Sequence, residues 1–273
     1  MVVQSFQLLK SPVQMHTRSL LARFIFSRAH LLSVLVVFAL LSPLSGLTYA
    51  QKHLSKRYPA GKRVRVELKN ISGTIIVESW DRDEVKVSAT LESPTANFSP
   101  RLVDDGLVID VMGDNRGRGD VGDVNFKIQV PVNSSVDLET KRGDIRVANI
   151  RGGLVRAHVS SEGDIELTGI SASQVFAQNT IGNIFFDGEF SRGGTYQFQS
   201  TKGDISIRIP SDSAFRLVAA APTKRIELGQ FWNSNFKTVG EGQKYGKFVG
   251  DVGDGRSSVM VTNFQGSITF IRR

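Results

Sequence analysis

Three regularly spaced aspartates are the residues of this 273-residue chain whose types and spacing could do chemistry together. Asp144, Asp164 and Asp204 each follow a glycine and precede an isoleucine. A row of carboxylates at fixed spacing could bind Ca²⁺ or the hydroxyl groups of a sugar. We favour a simpler role, in which a short polar side chain after a glycine corner caps backbone N–H groups of the turn. Other copies of the pattern interrupt the acidic row, and their residues at this position are Asn183, Arg225 and Ser267.

The histidines and serines give little support to an enzyme. Beyond residue 50 the chain has two histidines, His53 and His158, and neither has a second histidine at metal-ligand spacing. No Gly-x-Ser-x-Gly sequence supports a nucleophilic serine. The chain has no cysteine, which excludes disulfides and thiolate metal sites. We therefore expect no catalytic residue, no metal site and no cofactor.

Two further glycine and aspartate clusters are candidate cation or recognition sites. Residues 119–123 and 250–254 share the sequence Gly-Asp-Val-Gly-Asp, whose oxygens could hold Ca²⁺. However, no Glu stands at EF-hand spacing and there is no nonapeptide calcium repeat. Arg-Gly-Asp at 118–120 and 142–144 spells an integrin-type tripeptide. Since Gly-Asp at 143–144 belongs to a larger repeat, we interpret both tripeptides as incidental.

The aspartates belong to a sequence repeat with a period of about 20 residues. Each copy reads Gly, a polar residue, Ile, any residue, and then an aliphatic residue or Phe. From Gly143, successive copies are 20, 19, 21, 21 and 42 residues apart, and the degenerate copy at 224–228 lacks the glycine. The repeat glycines are Gly73, Gly143, Gly163, Gly182, Gly203 and Gly266. The repeat isoleucines are Ile75, Ile145, Ile165, Ile184, Ile205, Ile226 and Ile268.

The residues that flank each repeat glycine predict two short strands per copy. Polar and apolar residues alternate after the glycine, as in a half-buried β-strand, and a second alternating run, such as Val136 and Leu138, precedes it. One such coil cannot bury its apolar face, whereas stacked coils can. We therefore predict an all-β protein, a β-solenoid similar to a parallel β-helix, with coils of about 20 residues. The isoleucines from Ile145 to Ile226 would form one column in its core.

One copy does not fit the register of the others. If that register applied before Gly163, Arg156 and His158 would be buried without partners, at a cost of several kcal/mol. We predict instead that residues 160–162 contain one extra residue, as in a β-bulge, and that Arg156 and His158 face solvent. The residues turned inward would be Val155, Ala157 and Val159.

The first 50 residues have the features of a secretory signal peptide. They hold four basic residues, no acidic residue and an apolar run over 31–41, and they end in Thr-Tyr-Ala. We predict cleavage after Ala50. A retained membrane anchor is the alternative, although the apolar run is shorter than the about 20 residues of a span. Without these residues the net charge falls from +8 to +4, and the charges are interspersed, which does not indicate nucleic-acid binding.

The rest of the chain divides into a lead-in and one domain. We expect residues 51–61 to be flexible and residues 62–273 to form a single solenoid domain, with irregular loops at about 92–123 and 229–257. The second loop is rich in aromatic residues, which could form a glycan-stacking surface or could cover one side of the solenoid. The candidate ligand-surface residues are Phe185, Trp232 and Tyr245.

Several landmarks resemble a known bacterial family. Residues 70–80, Asn-Ile-Ser-Gly-Thr-Ile-Ile-Val-Glu-Ser-Trp, followed by Asp81 and the run 83–85, resemble the opening of a "putative adhesin" family. The Val-Pro pair at 130–131, the Gly-Asp-Ile repeats and Gly-Asp-Gly at 253–255 are similar to its later landmarks. The resemblance covers about 60–271 and implies a β-solenoid-like fold related to the auto-transporter adhesin head domain. The family is a domain of unknown function on exported proteins, and it brings no catalytic residues.

These observations predict a non-catalytic, adhesin-like module that binds or supports structure in the periplasm, at the cell surface or outside the cell. Its partner would be a glycan or another envelope protein, not nucleic acid, and no transmembrane span would remain after signal cleavage. A carbohydrate-active enzyme is the first alternative, because parallel β-helices also host such chemistry. The second alternative is a structural or regulatory envelope module without a ligand.

Overall fold

The fold, seen in a computed structural model, is all-β. The structure describes residues 52–93, 96–104, 106–222, 225–239 and 245–273, and only the backbone of Val239 and Tyr245. The predicted signal peptide, residues 1–50, lies outside the described residues. Within the described ranges, no helix has the length and apolar character needed to cross a membrane.

The strands are short and are numbered here in chain order. They are β1 (Lys52–Pro59), β2 (Arg65–Ser72), β3 (Ile75–Trp80), β4 (Glu84–Leu91), β5 (Arg101–Val103), β6 (Gly106–Asp110), β7 (Val124–Pro131), β8 (Ser135–Arg142), β9 (Ile145–Ala148), β10 (Leu154–Glu162), β11 (Ile165–Ile170), β12 (Gln174–Ile181), β13 (Ile184–Gly188), β14 (Thr195–Lys202), β15 (Ile205–Ile209), β16 (Phe215–Pro222), β17 (Ile226–Glu227), β18 (Lys237–Val239), β19 (Tyr245–Val252), β20 (Ser257–Asn263) and β21 (Ile268–Arg272). A one-turn helix, α1 (Val111–Asp114), follows β6, and a 3-10 turn (Gly229–Phe231) follows β17.

The strands form two sheets that share one core. The isoleucine sheet, which holds the isoleucine repeat, has the order β1-β4-β7-β3-β9-β11-β13-β15-β21-β17. The opposite sheet has the order β18-β19-β16-β20-β14-β12-β10-β8-β2-β6-β5. Phe186 of the isoleucine sheet packs on Phe198 of the opposite sheet, with ring centroids 5.1 Å apart. Each coil therefore contributes one strand to each sheet.

Neighbouring coils pair in parallel and in register throughout the middle of the stack. Ile165 pairs with Ile145 on one side and with Ile184 on the other, and all three side chains are buried. In the opposite sheet, Val175 pairs with Val155 and with Tyr196. The apolar residues of both alternating runs thus face the space between the sheets, because side chains along a strand alternate between its two faces.

The coils are not stacked in chain order at either end, which corrects the predicted column. Ile205 pairs with Ile268, and Ile268 in turn pairs with Ile226. The last coil of the chain therefore lies between the two coils that precede it, since the 42-residue interval holds a hairpin and not a further coil. At the other end, Ile75 lies between Phe126 and Ile145, so the early copy of the repeat is a regular member of the stack.

The repeat glycines form the corner at which each coil passes from the opposite sheet to the isoleucine sheet; we call it the glycine corner. Gly143 and Gly203 have φ angles of +112° and +139°, a region that other residues rarely adopt. A methyl group on either would overlap a backbone carbonyl, that of Gly73 for Gly143 and that of Gly182 for Gly203. Close stacking of backbone on backbone is therefore the reason why glycine occupies these positions.

A column of buried polar side chains, which the sequence analysis did not identify, supports the glycine corner. Each member lies three residues before a repeat glycine, and each side chain donates to a backbone carbonyl at the corner. In the last coil, Asn263 donates to the carbonyl of Gly203 in the neighbouring coil at 2.7 Å and to that of Ser267 at 3.0 Å. The members are Asn70, Thr140, Asn179, Ser200 and Asn263.

We expect Asn263→Leu to lower the free energy of unfolding by about 1–3 kcal/mol, because two buried carbonyls would lose their donor. Thr262→Val is the matched control, since Thr262 faces outward on the same strand. It should change the free energy by less than about 0.5 kcal/mol. Equal losses in urea melts of the two variants would contradict a structural role for this column.

The predicted register shift before Gly163 is confirmed. Pairing of β10 with both neighbours is regular from Val155 to Val159 and shifts between Val159 and Glu162. The outward side chain of Arg156 is exposed and that of His158 is half-buried. The inward residues are Val155, Ala157 and Val159, all buried.

Parts of all three segments expected to be flexible or irregular have more structure than predicted. Residues 52–59 are not a flexible lead-in: they form β1, which pairs antiparallel with β4 along its whole length. Residues 92–123 include the β5–β6 hairpin and α1, while 229–257 include the antiparallel pair β18–β19. These antiparallel strands lie at the ends of the sheets, outside the parallel stack. A charged segment such as residues 52–59 is typical of a flexible lead-in, but here the edge of β4 provides a strand with which it pairs.

Candidate functional site

The regularly spaced aspartates bind backbone amides, although not those of their own turns. Asp164 Oδ1 accepts a hydrogen bond of 2.7 Å from the N–H of Asn183, the equivalent residue of the next coil. Asn183 Oδ1 in turn accepts from the N–H of Asp204 at 2.9 Å. Each side chain thus links two coils at the glycine corner. The predicted role in capping backbone amides is thus corrected in one respect, because the capped amides belong to the neighbouring coil.

Asp204 is the aspartate of this row with a shifted pKa. The backbone N–H and then the hydroxyl of Ser267, both 2.8 Å away, hold the pKa of its carboxyl below the ordinary value of 3.8. A lowered pKa in the folded state stabilises the protein above the ordinary pKa, and this contribution is lost as the pH falls. Acid should therefore loosen the contact between the last coil and its neighbour.

Asp204→Asn should remove this pH dependence, because asparagine keeps an acceptor oxygen but carries no charge. We expect the variant to be slightly less stable than the wild type at pH 7 and the difference to shrink towards pH 3. Urea melts at the two pH values measure it. A difference in unfolding free energy that is the same at both would show that the charge of Asp204 contributes nothing.

Phe185 and Trp232, two of the aromatic residues predicted as a ligand surface, lie in different parts of the fold. Phe185 lies on the outer face of the isoleucine sheet, half-buried, with the guanidinium of Arg208 5.8 Å from its ring centroid. Trp232 is 53% exposed and follows the 3-10 turn at the end of the stack. It stacks on Phe236 and meets Phe248 edge-on, with centroids 5.6 and 5.8 Å away. The side chain of Tyr245 lies outside the described residues.

The glycine and aspartate clusters show local contacts. Asp120 accepts from the N–H of Gly122 at 3.0 Å, and Asp123 accepts from the hydroxyl of Ser72. In the second cluster, Asp251 binds Arg216 at 2.8 Å and Asp254 binds Arg256. Within the part of the chain that the structure describes, no three residues of His, Asp or Glu are grouped so that they could hold a metal ion.

A charged row on the outer face of the opposite sheet is a feature that sequence reasoning missed. Glu67, Asp137 and Arg156 lie side by side because β2, β8 and β10 are neighbours in register. Asp137 Oδ2 is 3.4 Å from a guanidinium nitrogen of Arg65 and 3.3 Å from one of Arg156. In the adjacent row, His158 Nδ1 is 3.8 Å from a carboxylate oxygen of Glu139. The acidic groups of both rows are thus balanced by basic neighbours.

A groove runs along the second corner of the coils, where each coil enters the opposite sheet. It has a volume of about 1060 Å³. We call it the serine-corner groove. Its lining has three basic residues (Arg63, Arg65 and Arg151), four serines (Ser135, Ser171, Ser173 and Ser191), Asn133, and a floor and wall that include Gly152, Gly153 and Val103.

Backbone pairing between coils fixes the serines in this groove. The N–H of Gln174 donates to the carbonyl of Gly153 at 3.0 Å, and the Ser173 hydroxyl donates to the same carbonyl at 3.0 Å. The hydroxyl oxygen of Ser135 accepts from the N–H of Leu154 at 3.3 Å, which leaves its own proton free to be donated. The groove therefore presents donors and acceptors at set positions.

Comparison with known proteins gave one family and a set of solved structures. The profile of the Toastrack DUF4097 family matches residues 59–247. No curated protein matched the chain. A structure described as a "putative cell adhesion protein" from Clostridium sporogenes is 12% identical, with a TM-score of 0.50, and the match covers 82% of this chain and all of that one.

Two further solved structures are less similar. A "putative adhesin" from Bacteroides fragilis is 12% identical with a TM-score of 0.40, over 82% of this chain and 99% of that one. A "putative lipid binding protein" from Parabacteroides distasonis is 10% identical with a TM-score of 0.35, over 81% and 97%. At these identities the likeness concerns the fold alone, and among these three it rests on the Clostridium structure.

Proposed function

We propose that this chain, which belongs to the Toastrack DUF4097 family, is an exported β-solenoid that binds an extended envelope ligand and catalyses no reaction. The parallel, in-register pairing of consecutive coils from β8 to β15 supports the solenoid description. Solenoids commonly bind partners along their extended faces. The adhesin-like role agrees with the description of the Clostridium structure as a "putative cell adhesion protein", although that description concerns another protein.

The serine-corner groove is the observation that carries this proposal. It crosses several coils, so its length comes from the stack and not from one loop. Its hydroxyl and guanidinium groups can form hydrogen bonds to a polar ligand. By contrast, each carboxylate placed on the outer face of β8 has a basic neighbour, as Asp137 has Arg65 and Arg156 and as Glu139 has His158. An arrangement that recognises a ligand is therefore better supported than one that transforms it.

A binding screen with the purified protein tests the proposal. Arrays of bacterial glycans, together with envelope proteins from fractionated cells, should reveal at least one ligand retained at physiological salt. Polysaccharides incubated with the protein should keep their chain length. Release of shorter products would overturn the non-catalytic assignment, and the absence of any ligand would favour a structural or regulatory module.

Export can be tested separately. We expect mass spectrometry of the exported protein to find an N-terminus at or near Gln51, because an apolar run and a small-residue site precede it. Recovery of the intact chain of 273 residues from membranes would instead show a retained anchor.

A carbohydrate-active enzyme is the second candidate, and the charged row on β2, β8 and β10 favours it. Enzymes of this kind require two carboxylates that flank a glycosidic bond, and Glu67 and Asp137 are adjacent in this row. If the row is catalytic, Asp137→Asn should abolish turnover of a polysaccharide that the wild type cleaves. We expect no turnover from either protein.

A further inference from the structure

The serine-corner groove has the length of an extended polymer segment. Its lining residues lie on or just before β2, β8, β10, β12 and β14, which are consecutive neighbours in the opposite sheet, and on the β5–β6 hairpin beside β2. Adjacent strands are about 4.8 Å apart, so the groove spans about 19 Å across the five strands. Its volume of about 1060 Å³ is at the top of the range of small-molecule pockets, about 300–1,000 Å³. A linear ligand fits these dimensions better than a single small molecule.

The basic residues of the groove are available to a ligand. Arg63 and Arg151 are exposed, and neither side chain has an ion-pair or hydrogen-bond partner among the described residues. Arg65 is engaged, since it shares Asp137 with Arg156. A guanidinium group binds carboxylate, sulfate or phosphate through two parallel hydrogen bonds. Two free guanidinium groups on different coils therefore select for a ligand that carries anionic groups at intervals.

The acidic residues of the groove do not neutralise the two free arginines that select an anionic ligand. Glu67 is paired with Lys69, whose ammonium group is 3.3 Å from its carboxylate. Asp104 lies at the rim, in the turn between β5 and β6. Among the described lining residues, three arginines stand against two carboxylates, so this part of the groove has a net positive charge that attracts a polyanion.

The remaining polar groups suit a ligand rich in hydroxyls. Ser135 has a proton to donate, and Ser173 uses its proton on Gly153 and keeps its lone pairs to accept. The side chain of Ser171 has no hydrogen-bond partner in the described part of the chain, whereas that of Ser191 bonds to Tyr196. None of the described lining residues is aromatic. Single-stranded nucleic acid, which stacks its bases on aromatic side chains, is therefore a poor fit.

We propose that the serine-corner groove binds one chain of an acidic polysaccharide, whose carboxylate groups lie against Arg63 and Arg151 and whose sugar hydroxyls bond to the serines. This assignment deepens the proposed function and rests on it, because it identifies the ligand class and the surface of a binding module.

The test compares two variants of equal charge in the exported protein. Arg63→Gln with Arg151→Gln removes both free guanidinium groups from the groove. Arg116→Gln with Lys202→Gln removes the same charge from exposed residues outside it. Because all four side chains are exposed, both variants should keep the circular dichroism spectrum and urea midpoint of the wild type. A variant that lost its fold would be replaced by the single Arg151→Gln change.

Affinity for polygalacturonate, measured by isothermal titration calorimetry, is the readout. We expect the wild type to bind it, the groove variant to bind at least about tenfold more weakly, and the control variant to bind within about twofold of the wild type. Binding should weaken as NaCl is raised, because the contacts are between exposed charges. Neutral dextran should not bind to this groove.

The outcomes separate the ligand assignment from the broader proposal. A wild type that ignores polygalacturonate, or two variants that lose affinity equally, would overturn the groove assignment. Tighter, groove-dependent binding of a single-stranded thymidine oligonucleotide would also overturn it. Glycan-array binding that the groove variant retains would place the ligand on another surface and leave the binding function intact. A protein that binds no glycan and no envelope protein would contradict the function itself.

Discussion

Gly203→Ala should destabilise the protein by about 2–5 kcal/mol, or prevent it from folding. Two effects add, since φ at Gly203 is +139° and an added methyl would overlap the carbonyl oxygen of Gly182. Left-handed strain in a non-glycine residue costs about 1–2 kcal/mol, and overpacking costs about 1–3 kcal/mol. The neighbouring coil cannot move away without breaking the parallel pairing on both sides of the corner. Urea melts, or the yield of soluble protein, would measure the loss.

Two other glycines separate the two causes. Gly193 has a φ of +75° but no atom within 4 Å of an added methyl, so Gly193→Ala should cost only the backbone term, about 1–2 kcal/mol. Gly61 has neither feature, and Gly61→Ala should be nearly neutral. If Gly203→Ala and Gly193→Ala were equally destabilising, the close approach of adjacent coils would not be what requires glycine at the corner.

Ile205→Ala is expected to cost about 2–5 kcal/mol, the second large effect. Ile205 is fully buried between Ile184 and Ile268 and contributes to the core on both sides. Ile165→Ala should fall in the same range, because Ile165 is equally enclosed. The lost apolar area and the cavity left behind both contribute, since neighbouring coils held by backbone hydrogen bonds cannot collapse into the space.

Two controls show whether position in the stack decides the cost. Ile226 has the same place in the sequence repeat but is half-buried and pairs with a strand on one side only. Ile226→Ala should cost less than about 2 kcal/mol. Asp164→Ala, which removes one hydrogen bond at an exposed corner, should cost about 1 kcal/mol. A loss at Ile226 as large as that at Ile205 would argue against the observed order of coils.

The local structure was predictable because the alternation of polar and apolar residues indicates which face of the strand each side chain occupies. The strands and the inward isoleucines follow from this alternation. The shift between Val159 and Glu162 follows from it as well, because it avoids the burial of Arg156 and His158. The buried polar column had a visible signal as well, an Asn, Thr or Ser three residues before most repeat glycines. At Gly163 that position is Ser160, which is exposed because the extra residue displaces it.

The order of the coils was not predictable from the repeat. Every copy of the repeat forms a strand with nearly the same hydrogen-bonding edge. The sequence pattern therefore does not indicate whether Ile205 pairs with Ile226 or with Ile268. That choice depends on which strands have an antiparallel neighbour, as β16 has β19. The same limit applies to the serine-corner groove. Its arginines and serines are spread over residues 63–191, and only parallel pairing brings them to one surface.

The placement of the last coil governs when folding can finish. β20 fills the space between β14 and β16, and β21 fills the space between β15 and β17. During synthesis, β16 and β17 are complete before β20 and β21 are made. Those two later strands are the ones that join β16 and β17 to the rest of the stack. Contacts of long sequence separation form slowly. The protein therefore closes its core only after residues 257–272 have been synthesised.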